Sequence, residues 1–244
     1  METSLHRSLK HLYAAGPLAL GQTEADDSPP LAQVEVRLDG FRIDAVVAGC
    51  LIEIQHGSLA AIRAKITRLL QKHDVLVVKP IIASKLLVKR AKANGPEVDR
   101  RQSPKRGKLL DLFDELIYFT KVFPHPRLTI EAVLVDVEEW RRPGHGRRRR
   151  WRKDDHTVED QHLLAIRQTQ RFRTAADLLA FLPESLPRPF HSGHLAAALA
   201  VPRWCAQRMV YVMRHTGTLI EAGKQGNARL YETPAPRRKR RRSA

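Results

Sequence analysis

The stretch from Val34 to Gln55, VEVRLDGFRIDAVVAGCLIEIQ, leaves little choice of local structure. Apolar and polar residues alternate, and the pattern breaks twice, at Asp39-Gly40 and at Ala48-Gly49. Asp-Gly between alternating runs is a strong hairpin signal, because a two-residue type I′ turn needs positive φ at both central residues. Ala48-Gly49 is the weaker signal, since it asks the same of an alanine. Two such turns make three antiparallel strands with a forced register. Leu38 then faces Phe41, Val47 faces Cys50, and Asp44 lies opposite Glu53 on one side and Glu35 on the other. Gln55 follows two residues beyond Glu53, on the same face. Directly opposed Cβ atoms stand roughly 4.5–5.5 Å apart, and like charges there are destabilising. Three carboxylates in a row call for a positive charge between them. A divalent cation, held by one or two carboxylates with phosphate and water, is the simplest candidate. The solvated face of an ordinary sheet would alternate in the same way.

An Asp on one strand, a short turn and Glu-Ile-Gln on the next resembles the core of the PD-(D/E)xK nucleases. Leu51-Ile-Glu-Ile-Gln-His56 is similar to the Glu-Ile-Gln variant of the competence-protein CoiA-like members. The arrangement over residues 1–140, with a second DNA-binding module behind it, also resembles an uncharacterised bacterial family of nuclease-like proteins. The resemblance implies an α/β fold, a restriction-endonuclease-like mixed sheet flanked by helices. It implies Mg²⁺ or Mn²⁺ as cofactor, held by Asp44 and Glu53 with the Ile54 carbonyl as a further ligand. It makes Asp44, Glu53, Gln55 and Glu2 the catalytic candidates. Glu2 enters because a Glu on the first helix reaches the metal site in many members; the helix dipole explains an acid in a first turn equally well. The chain departs from the family at Gln55, where Lys is usual. A neutral amide is neither a general base nor a cation, although it can orient water or donate to a phosphate oxygen.

The net charge of +17 on 244 residues points to a polyanionic partner, nucleic acid or an anionic membrane surface. With 43% hydrophobic residues the chain can bury a core, as one large domain or two modest ones. No run of about 18 apolar residues offers a spanning helix. The start, METSLHRSLKHLY, is too polar for a secretory signal. Cys50 and Cys205 are isolated and form neither a disulfide framework nor a zinc pattern. The cytoplasm, on the nucleoid, is the expected location.

Residues 2–15 read as an amphipathic helix with Leu5, Leu9 and Leu12 on one face, and 16–33 as a loop. Ser58 is the expected N-cap of a helix running to about Lys72, with Leu59, Ile62, Ile66, Leu69 and Leu70 inward. Its Arg63, Lys65, Arg68 and Lys72 lie off that stripe, either tracking a phosphate backbone or simply solvated. Val75–Val78 is a buried strand, which makes a strand–helix–strand crossover. Lys79 or Lys85 is a candidate for the cation that Gln55 lacks. Residues 91–108 read as a basic loop, Leu109–Phe119 as a helix and Leu128–Val137 as a strand.

The expected nuclease-like domain spans 1–160. Within it lies an Arg-rich hairpin at 138–153, whose Arg147, Arg148, Arg149 and Arg150 suit phosphate neutralisation and whose Trp140 and Trp151 can stack on bases or on each other. Connecting helices are expected over 161–188, a winged helix-turn-helix over 189–233 and a basic tail over 234–244. In the winged helix, Arg203–His215 would enter the major groove with Trp204, Met209, Val212 and Met213 inward. It would present Arg203, Gln207, Arg208 and Arg214, with Lys224, Gln225 and Arg229 on the wing. The tail Arg237–Arg242 is a charge run.

Two functions follow. One is a metal-dependent DNA endonuclease hydrolysing phosphodiester bonds, a homodimer if it cuts with two-fold symmetry. The other is a non-cleaving DNA-binding regulator or accessory protein with a degenerate nuclease fold. A structural RNA-bound protein is a third option, but the chain has no RNP-type aromatic strand and no KH-like loop.

Overall fold

Both turns form as the alternation predicts. The computed structural model describes residues 2–15, 32–144 and 155–234. Its β1 (Ala32–Leu38), β2 (Phe41–Val47) and β3 (Cys50–Ile54) make an antiparallel meander, with Leu38 opposite Phe41 and Val47 opposite Cys50. Asp39 and Gly40 take φ of 50° and 80°, and Ala48 and Gly49 take 47° and 78°. Ala48 thus adopts the left-handed conformation the register demands, at a cost of roughly 1–2 kcal/mol. The apolar faces that this register buries outweigh it.

Ser58 caps α2 (Leu59–Leu69), accepting the Ala60 N–H. The crossover brings β4 (Val75–Arg90) back parallel to β3. β4 also runs parallel to β6 (Leu128–Pro143), so its first seven residues are buried. Among the described residues seven strands form one mixed sheet in the order β1-β2-β3-β4-β6-β7. In it β5 (Glu97–Gln102) pairs with the later part of β4, and β7 (His156–Phe172) lies at the edge.

Helix α1 (Ser4–Ala15) packs Leu5, Leu9, Tyr13 and Ala14 onto Ala45, Val47, Ile52, Ile54, Leu76 and Val78. Leu12 was expected in that stripe but is 39% exposed, and Tyr13 takes its place by continuing the i, i+4 row from Leu5 and Leu9. The Tyr13 hydroxyl donates to buried Glu131, which also pairs with Arg171. Glu53 alternates with Ile52 and Ile54 along β3, so it faces away from α1, and Lys65 of α2 meets it there.

Two expected elements differ within the sheet. Residues 91–108 are not all loop, because Glu97–Gln102 pairs as β5. The helix expected from 161 is instead β7. As an edge strand β7 is solvated along much of its length, and Leu163-Leu164-Ala165 interrupts its period of two, so the sequence pattern is weak there.

The chain divides into two compact units, Met1–Leu112 with Arg127–Arg171, and Phe113–Pro126 with Phe172–Ala244. The first holds the sheet with α1 and α2. The expected breaks at 160 and 188 are replaced by one at the end of β7. The second unit begins within α3 (Leu112–Leu116), and the expected helix to Phe119 is a short 3₁₀ turn followed by this helix. Phe181, in a 3₁₀ helix spanning Ala175–Phe181, stacks on Phe172 at 5.6 Å and meets the edge of Phe113 at 5.0 Å. Helices α4 (Ser192–Leu199) and α5 (Arg203–His215) follow, then a hairpin of β8 (Ile220–Gln225) and β9 (Ala228–Glu232). Ala206, Met209, Val210, Val212 and Met213 are the buried residues of α5. Trp204 was expected among them but is exposed, because it stands five residues from Met209, well off the buried arc.

Candidate functional site

The carboxyl end of β3 is where the sheet opens. On the β2 side the ladder ends at Ala45 opposite Ile52. The N–H groups of Leu51 and Gln55 donate towards β4, to Asp74 O and Val78 O, so Ile54 N–H points the other way. It finds the side chain of Asp44: Oδ2 accepts it at 2.8 Å. On the β4 side the next bond of the parallel ladder would run from residue 80 to the Gln55 carbonyl. Pro80 has no N–H to give, and β3–β4 pairing stops at Ile54 opposite Val78.

Asp44 and Glu53 meet at this opening. Their carboxylates are 20% and 7% exposed. Each has a basic side chain beside it. His6 Nε2 stands 3.1 Å from Asp44 Oδ1, and Lys65 Nζ stands 2.5 Å from Glu53 Oε1 while also donating to the Arg42 carbonyl at 2.5 Å. Burial pushes the Glu53 carboxyl up to about 7; Lys65 pulls against that and Asp44 adds to it. Burial pushes Asp44 up as well, but His6, the Ile54 N–H and Lys65 outweigh it and hold Asp44 below the usual carboxylate range. Lys65 thus acts on both acids.

The third carboxylate of the expected row has left it. Glu35 takes φ of 57° and drops out of the β1–β2 register between Val34 and Val36. It pairs with Arg42 at 2.6 Å and with Lys10 at 2.6 Å. Lys10, almost fully buried, also binds Glu2 at 2.7 Å. Burial opposes the Lys10 charge, yet Glu2 and Glu35 together raise its pKa above the ordinary value. Glu2 lies 3.8 Å from His6 Nε2, so it reaches Asp44 only through that histidine.

Gln55 does not join the acids. Its amide donates to the Ser58 carbonyl at 2.8 Å and ties β3 to the start of α2. Lys79 donates to the carbonyls of His56 and Gly57 at 3.0 and 2.6 Å, and Lys85 pairs with Glu139. Lys65 is the residue that sequence reasoning missed. A usable signal existed: it stands at the edge of the apolar arc of α2, about 40° beyond Leu69, rather than opposite that arc.

The nucleic-acid candidates fall into two sets. Arg147, Arg148, Arg149, Arg150 and Trp151 lie outside the described residues, as does the tail Arg237–Arg242. Trp140 at the hairpin's base is enclosed, with Arg90 3.6 Å over its ring and His162 at 4.4 Å, so it is not free to stack on a base. In the second unit Arg203, Gln207, Arg214, Lys224, Gln225 and Arg229 are exposed. Arg208 binds Asp114 at 2.6 Å and lies 4.7 Å from the Trp204 ring, and Arg229 binds Glu221 at 3.3 Å.

A divalent ion suits the donor set at the opening. Mg²⁺ is ordinarily held by one or two carboxylates, with phosphate and water completing its shell, rather than by an all-protein cage. Burial pushes the Glu53 carboxyl up to about 7 even with Lys65 beside it. Among the described residues no group of three or more His, Cys, Asp or Glu is arranged to hold an ion. Among the same residues no helix is long and apolar enough to cross a membrane.

A family model described as "Domain of unknown function (DUF8091)" matches residues 3–173, which include α1, the whole seven-stranded sheet and both acids of the opening. An uncharacterized protein of Treponema pallidum (strain Nichols) is 27% identical over 236 residues, covering 96% of this chain and 86% of its own length. No solved structure matches.

Proposed function

The chain belongs to the DUF8091 family, and we propose that it is a metal-dependent nuclease hydrolysing phosphodiester bonds of DNA. The carrying observation is the meeting of Asp44, Glu53 and Lys65 where β3 leaves both neighbours. The element order α1-β1-β2-β3-α2-β4, with an antiparallel meander followed by a parallel crossover, supports a restriction-endonuclease-like core.

Asp44 and Glu53 would hold Mg²⁺ or Mn²⁺, which when bound lowers the pKa of a coordinated water and stabilises charge on phosphate. The rest falls to the chain's own groups. The Ile54 N–H holds one oxygen of the Asp44 carboxylate, and the other lies 3.1 Å from His6 Nε2. Lys65 supplies the positive charge that Gln55 cannot, from a helix rather than from β3. It can turn from Glu53 to a phosphate oxygen once that acid has another counter-charge. Gln55 keeps the start of α2, and with it Lys65, in place. The α4–α5 helices and the β8–β9 hairpin, read as a winged-helix-like module, would hold the DNA.

A second reading has its own support. His6 already lies against Asp44 and Lys65 pairs with Glu53, which suits a nuclease-like domain that no longer cuts and serves a DNA-binding regulator. Purified protein titrated with Mg²⁺ and Mn²⁺ on single-stranded, duplex and branched DNA separates the two. The nuclease reading expects metal-dependent cleavage that Asp44→Ala abolishes while DNA affinity is largely kept. Binding without cleavage on every substrate leaves the second.

A further inference from the structure

Nine large hydrophobic side chains are exposed among the described residues, and the three aromatic ones, Tyr118, Trp204 and Tyr211, all belong to the second unit. Their exposures of 55%, 53% and 44% are high for rings that could have been buried. Trp204 and Tyr211 are seven residues apart on α5, nearly two turns, so they share its outward face about 10 Å apart along the axis. Each carries a nitrogenous partner one turn further on: the Arg208 guanidinium lies 4.7 Å from the Trp204 ring, and the His215 ring lies 3.9 Å from that of Tyr211. α5 has no acidic residue, and Arg203, Arg208 and Arg214 on it outnumber the one acid that Arg208 meets, Asp114.

We propose that the outward face of α5 is a stacking platform for the unpaired bases of single-stranded DNA, with Trp204 and Tyr211 as the stacking rings and Arg203 and Arg214 on the phosphates. The inference rests on the reading of this chain as one that acts on DNA, and names the form of DNA it takes. A helix that reads duplex DNA meets base edges in the major groove with hydrogen-bonding side chains. On α5 the central guanidinium is held by Asp114 instead, and flat rings project. Bases within a duplex are stacked on each other and offer such rings no open face. Unpaired bases do, and aromatic side chains beside basic ones are the usual means of holding a single strand.

The test is fluorescence anisotropy of the full chain carrying Asp44→Ala, in EDTA, with a labelled oligonucleotide and with its blunt duplex. The single strand should bind at least about tenfold more tightly. Trp204→Ala and Tyr211→Ala, both at exposed positions, should each weaken that binding about five- to a hundredfold with little effect on the duplex. Trp204→Phe should retain most of it. Equal or tighter duplex binding, single-strand binding indifferent to both ring removals, or no DNA binding at all overturns the platform, the last pointing to a protein partner for this face. Cleavage does not enter this measurement. A wild-type protein that cuts duplex and prefers it sinks the platform alone, and a single-strand preference without any cleavage sinks the nuclease alone.

Discussion

Asp44 Oδ2 accepts the backbone N–H of Ile54 at 2.8 Å, so a side chain stands where a strand carbonyl would. The carboxylate therefore has a structural task and a chemical one, and two substitutions separate them. Asparagine keeps an oxygen for the N–H and loses the charge; alanine loses both. Asp44→Asn should stay within about 1 kcal/mol of wild type, whereas Asp44→Ala should lose about 1–3 kcal/mol by orphaning a buried donor. Both should be inactive in the cleavage assay. Equal stability of the two variants in urea unfolding would remove the structural task.

Glu53 sets a pH dependence. Its folded-state pKa is raised from 4.5 to about 7, so between those values the folded protein binds more protons than the unfolded chain. Its contribution to stability is accordingly present below about pH 4.5 and is lost as pH rises towards 7. The depressed Asp44 acts in another window, its stabilisation being lost only as pH falls below 3.8. Melting temperatures of wild type and Glu53→Gln, taken from pH 5 to 8, should therefore converge at low pH. At high pH the variant should gain on wild type by as much as a few kcal/mol. Parallel curves would mean that Glu53 titrates as an ordinary surface acid.

Lys65 should matter more than any other lysine near the opening. Lys65→Met leaves Glu53 without its ion pair and raises that pKa further. The stability loss, about 1–3 kcal/mol at pH 8, should shrink towards pH 5 as Glu53 protonates. Cleavage should fall by at least about a hundredfold, given the size of a single charge-stabilising contact in a transition state, and Lys65→Arg should recover part of it. Undiminished turnover by Lys65→Met would show that the charge is supplied from elsewhere.

Gln55 is expected to be the tolerant member of the motif. Its amide bonds the Ser58 carbonyl and touches neither acid. Gln55→Ala should cost about 1 kcal/mol or less, the net worth of one exposed hydrogen bond, and change cleavage only a few-fold. A loss as deep as that of Asp44→Asn would bring Gln55 back among the catalytic groups.

Where the sequence was legible, local rules were strong. Asp39-Gly40 and Ala48-Gly49 dictated the meander and hence the approach of Asp44 to Glu53, and Ser58 announced α2. Glu35 was misplaced because its positive φ depends on Lys10 and Arg42, which no alternation pattern encodes. Lys65 was overlooked because a lysine beside an apolar stripe reads as solvated unless the acid waiting for it is known. β7 read as helix because an edge strand in water has little reason to alternate, and Trp204 was taken for core because large rings usually are. The expected row of three acids does not form, because Glu35 leaves it; that Lys10 pairs with Glu35 and Lys65 with Glu53 could only be seen in three dimensions.

Pro80 and Asp44 flank Ile54 and Gln55 where β3 ends, one by lacking a donor and the other by consuming one. Neither neighbouring strand can zip closed over that tongue of backbone, whatever the protein is bound to. The sheet therefore needs no rearrangement to end there, and Asp44 is held at that end by the backbone itself.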